Sequence, residues 1–149
     1  MEQNSLAVTS LGILYGAGAA FCRDDIEALE LLTDNNIPHR VLWEGVIVIT
    51  SQILRSESLE QLTADVIPAV ADKNLITRVF EAAADWNVRD RESVHLATLG
   101  LSKSGFDPVF FGGTIIGSLW HHAAEAQGID PIEYSKRLCL AAGMVTANS

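Results

Sequence analysis

Basic residues are scarce: ten of 149, against 19 acidic ones, for a formal net charge of −9. A protein that grips nucleic acid regardless of sequence needs a basic face, and this composition does not supply one. Direct attraction to an anionic membrane is disfavoured on the same ground. Cysteine is almost missing. Cys22 and Cys139 stand near opposite ends, which excludes a disulfide-stapled secreted scaffold. Both lie in apolar helical context and read as buried free thiols, with a single end-to-end bridge left open. Long apolar runs are missing too. The longest, Val109 to Trp120, contains three glycines and falls short of the ~20 residues of a bilayer span. Leu6 to Cys22 resembles the apolar core of a secretory signal, but the MEQNS before it has no basic residue. A cytoplasmic protein that keeps this segment, with no membrane insertion, is therefore expected.

What is present is apolar and helical in period. Hydrophobic residues make up 48% of the chain, too many for a disordered acidic tail. The length suits one domain, 1–149. Apolar positions recur mainly at three and four rather than two: Ile26, Leu29 and Leu32; Leu59, Leu62, Val66 and Val70; Leu75, Ile76, Val79, Phe80 and Ala83; and, less regularly, Val94, Leu96, Leu99 and Leu101. That spacing predicts an all-α fold of seven or eight amphipathic helices. They are placed at 5–21, 24–34, 38–55, 58–70, 72–85, 90–103, 108–127 and 131–142. Punctuation agrees. Asp107-Pro108 and Asp130-Pro131 pair a capping side chain with a first-turn proline. Ser58 and Gln61 have capping-box spacing. Gly105, Gly128 and Gly143 stand where helices should stop. The β-branched run Val46 to Ile49 could form a strand, but no turn signal interrupts Arg40 to Leu54. A helix there, nearly all apolar, should lie at the centre. Gly12 with Gly16, and Gly113 with Gly117, cost helix stability. Close packing inside the domain is the expected compensation, and a homodimer contact through Gly113 and Gly117 the alternative.

Three places carry chemistry. In Ala84 to Glu92, acidic residues close one helix and open the next. Asp85 and Glu92 could face each other and hold a divalent metal ion through oxygen. The segment is no EF-hand: Arg89, Asp90 and Leu96 occupy positions that need a ligand, a glycine and the closing glutamate. The plainer reading is helix capping by Asp90, with Glu92 against the helix dipole. Second, Glu92 and His95 form Glu-x-x-His, and His122 and Glu125 the reverse, with His121 adjoining. Carboxylate-bridged dimetal bundles use such pairs, so Glu92, His95, His121, His122 and Glu125 define an alternative metalloenzyme cluster, with Glu44 a further ligand to consider. Third, Asp34 to His39 reads as a polar connection. No Gly-x-Ser-x-Gly elbow exists for nucleophilic catalysis. Gly16-Ala-Gly18 lies inside a helix rather than after a strand, so it is no dinucleotide fingerprint.

Residues Phe80 to Pro108 resemble the tellurite-resistance TerB-like family. In that family a helix ends in Ala-Asp-Gly; an aliphatic position and then a glutamate follow, and the next helix runs to a Leu-Gly-Leu-like end. Here Ala84 and Asp85 begin the pattern. Val88 takes the aliphatic place, Glu92 the acidic one, and Leu99-Gly100-Leu101 the end. Trp86 replaces the glycine, and the turn from Cys22 to Glu27 lacks the motif that a first half would carry. The resemblance covers 6–106 and leaves 107–149 as an added C-terminal helical hairpin. It implies a non-catalytic accessory or interaction module, associated with stress and tellurite resistance and with a protein partner. It also implies a divalent metal at paired acidic turns, of which only Asp85 and Glu92 carry over.

Overall fold

The computed structural model describes residues 2–56 and 72–143, with side chains from residue 5 to 55 and from 72 to 143. Within them the chain forms seven helices: α1 (Glu2–Cys22), α2 (Ile26–Leu32), α3 (His39–Ser56), α4 (Lys73–Asn87), α5 (Arg91–Ser102), α6 (Pro108–Gln127) and α7 (Pro131–Ala141). The expected helix over 58–70, with its Ser58–Gln61 box, lies outside the described residues.

Local chemistry explains most of the boundaries. Asp25, Asp72, Asp90, Asp107 and Asp130 each cap the N-terminus of the helix that follows them, accepting from first-turn backbone N–H groups. These donors have no partner within the helix, so each cap satisfies what the helix cannot. Asp107 takes two of them, from Val109 and Phe110, both at 2.9 Å. Much of the chain's negative charge is therefore spent on helix ends. At the other end of α6, Gly128 turns left-handed at φ 69°, a conformation that costs other residues more.

Two helices carry the centre. On α3, Leu42, Trp43, Val46, Ile47, Ile49 and Ile53 are buried, so the β-branched run is helical and its stiffness is offset by packing. α6 is buried along most of its length. It packs against α1, α2, α3 and α7. α6 and α7 pack against each other, and α6 at the same time forms part of the core.

Small residues let α1 and α6 approach closely. A methyl group on Gly113 would stand 2.6 Å from Ala17 Cβ, and one on Gly117 2.5 Å from Phe21 Cδ1 and 2.9 Å from the Gly18 carbonyl. One on Gly18 would meet Trp120 at 2.7 Å. Gly113 and Gly117 are both buried against α1. The close packing expected of them is thus made within the chain. α1 also corrects an expectation. From Ser5 to Cys22 it is long and apolar enough to cross a membrane. Its second half instead lies against the core, with Leu14, Ala17, Ala19 and Ala20 buried.

Candidate functional site

The α4–α5 turn is short and tightly bonded. The Val88 N–H donates to the Ala84 carbonyl (3.2 Å), Arg89 to Trp86 (3.0 Å) and Asp90 to Asp85 (2.9 Å). This closure requires a left-handed residue, and Arg89 supplies it at φ 63°. Asp90 then caps α5. It accepts from the Ser93 N–H at 3.2 Å and from the Ser93 hydroxyl at 2.7 Å. Those two bonds hold its carboxyl below the usual value, since both favour the charged form. Glu92 lies exposed in the first turn of α5, where the helix dipole favours it. The capping reading thus describes Asp90 and Glu92. Asp85 is half-buried at the end of α4. Among the described residues, no three His, Cys, Asp or Glu side chains are grouped to hold a metal ion, so Asp85 and Glu92 gain no third ligand.

Beside the turn lies a pocket lined by three arginines and one carboxylate, Asp90. Arg89 and Arg91 share a pocket of about 250 Å³ with Arg55, which comes from the last turn of α3. Trp86, Asn87, Asp90 and Val94 complete its lining. The Asn87 amide donates to the Ser51 carbonyl at 3.4 Å, tying the turn to α3 beside Arg55. Among the described residues, no ion pair is made by Arg55, Arg89 or Arg91. Arg23 and Arg137, by contrast, are paired with Asp25 and Glu133 at 3.7 Å. Trp86 is 37% exposed and Val88 74%. Unpaired arginines beside exposed apolar side chains, a tryptophan among them, resemble the centre of a protein interface more than ordinary surface.

The metalloenzyme cluster does not assemble. Glu92 and His95 are exposed on α5, which packs against α3 and α4. His121, His122 and Glu125 lie near the end of α6, which packs against α1, α2, α3 and α7. His121 Nδ1 stands 3.4 Å from Glu125 Oε1, one turn along the same helix, with both side chains about half exposed or more. Glu44 is exposed on α3 and joins neither group into a metal site. Sequence reading missed Arg55 because its partners are distant in sequence. It passed over Arg89 because it judged that residue only as a failed calcium ligand.

Both cysteines are free and buried. Burial, and then the neighbouring Cys139, push the Cys22 thiol up to about 12. Its Sγ lies 3.5 Å from the Gly117 carbonyl oxygen. Burial also pushes Cys139 up. Neither thiol has the depressed pKa of a nucleophile.

A larger concavity lies on the other side of Arg55. It is a groove of about 490 Å³ between α1, α3, α6 and α7. Tyr15 and Trp120 contribute two of its walls, with ring centroids 5.5 Å apart. Burial, with Cys139 next in importance, raises the Tyr15 phenol.

No family model, no curated protein and no solved structure matches this chain.

Proposed function

We propose that the chain is a non-catalytic, cytoplasmic interaction module that docks an acidic segment of a partner protein on the α4–α5 corner. The observation that carries this reading is the gathering of Arg55, Arg89 and Arg91 around one pocket beside Trp86, with no ion pair among the described residues. In a chain of net charge −9, such a patch stands out against its own surface and steers an acidic partner to one place. Arg89 adds weight. Its left-handed conformation, which costs on the order of 1 kcal/mol against glycine, closes the turn that brings it to the pocket. The TerB-like resemblance points to the same accessory role, and its motif spans this turn. A setting in stress response or tellurite resistance rests on that resemblance alone.

The test is calorimetric titration with a Glu-rich peptide bearing one aromatic residue. The parent protein should bind it, with affinity falling steeply as salt rises. The Arg89→Gln/Arg91→Gln variant should bind at least tenfold more weakly. Equal binding by both proteins would remove the α4–α5 corner as the docking site.

A further inference from the structure

We propose that the groove between α1, α3, α6 and α7 binds an anionic amphiphile, a long-chain carboxylate whose head pairs with Arg55. This goes beyond docking of a partner protein, because it places a small-molecule site in a second concavity that meets the first at Arg55.

Volume and walls set the ligand class. About 490 Å³ lies inside the range of small-molecule pockets, which are mostly apolar with a few placed polar groups. Leu11, Val48, Ile53 and Leu138 give aliphatic walls, and Tyr15 and Trp120 aromatic ones. Trp120 is 1% exposed, so it backs the groove from within the core, and the part-buried Tyr15 presents the aromatic surface. An unbranched hydrocarbon chain suits such walls, since it gains from burial and asks for no hydrogen bond.

Charge then sets the head group. Among the described residues, Arg55 is the one charged residue lining the groove, and no acidic residue lines it. Its guanidinium is exposed and, among the described residues, makes no ion pair. Gln52 lies one turn earlier on α3 and lines the same groove, adding an amide donor. A carboxylate fits a planar guanidinium through two parallel hydrogen bonds. A neutral head would leave that match unused, and a cationic head would be repelled.

The experiment is isothermal titration of the whole protein with dodecanoate below its micelle concentration, with dodecanol and dodecyltrimethylammonium as controls. One equivalent of dodecanoate should bind. Dodecanol should bind at least tenfold more weakly, and the cationic detergent more weakly still. Arg55→Gln should weaken dodecanoate at least tenfold and leave dodecanol unchanged. Leu138→Trp, which fills the groove, should abolish both. Arg55 is exposed, so its variant keeps the test valid if Leu138→Trp does not fold. Arg89→Gln/Arg91→Gln should change dodecanoate binding less than twofold, which separates this site from the peptide-docking corner. Absence of binding at millimolar dodecanoate would overturn the proposal. So would equal affinity for dodecanol, or an Arg55→Gln protein that binds as the parent does.

Discussion

At the scale of single residues, the buried thiols give the sharpest pH signature. Cys22 keeps its proton in the folded chain up to about 12, whereas its ordinary value is 9.0. Between those values the unfolded chain binds fewer protons than the folded one, so stability falls as pH rises. The contribution is complete below pH 9.0 and is lost as pH climbs towards about 12. Melting midpoints measured across this window should therefore fall more steeply for the parent than for Cys22→Ala. Parallel slopes would show that the thiol is not held in its neutral form. Burial of both cysteines was legible in the sequence, because each lies in a largely apolar helical stretch. The role of Arg89 was not. A positive φ at a non-glycine residue is imposed by the turn around it, and no residue type announces it.

At the scale of helices, the close contact of α1 and α6 makes opposite predictions for glycines on the same helix or its neighbour. Gly117→Ala puts a methyl group into Phe21 and the Gly18 backbone. Helix propensity gains up to ~1 kcal/mol, but overpacking costs about 1–3 kcal/mol, so the variant should melt lower. At Gly16 the added methyl meets only Leu32 Cδ1 at an ordinary 3.5 Å. Gly16→Ala should therefore be neutral or more stable, by up to ~1 kcal/mol. Thermal unfolding of the two variants checks both signs. The helix ends were readable in advance for a physical reason. A cap, a first-turn proline and a left-handed glycine act within a few residues, so Asp107-Pro108, Asp130-Pro131 and Gly128 carry their meaning locally. The β-branched stretch at Val46 was ambiguous for the opposite reason. Burial from several sides suits a strand or a helix alike, and only the surrounding helices decide. The neighbours of α6 were not legible for a similar reason, since nothing within 108–127 shows which helices will cover it.

At the scale of the whole molecule, the concave sites form where helices do not fill the space between them, which no local pattern records. The apolar groove draws residues from four helices, and the basic corner from α3, α4, α5 and the turn that joins the last two. Arg55 lines both. One guanidinium cannot give its full set of hydrogen bonds to two anions at once, so the two sites are thermodynamically linked. Whatever fills the groove draws Arg55 away from the corner and loosens the acidic partner. By reciprocity the partner loosens the groove ligand by the same factor. Titrating the Glu-rich peptide with and without saturating dodecanoate should show weaker peptide binding when the groove is filled. The difference should vanish in Arg55→Gln. On the two proposals above, a side chain shared by two sites would let this small helical domain exchange one anion for another.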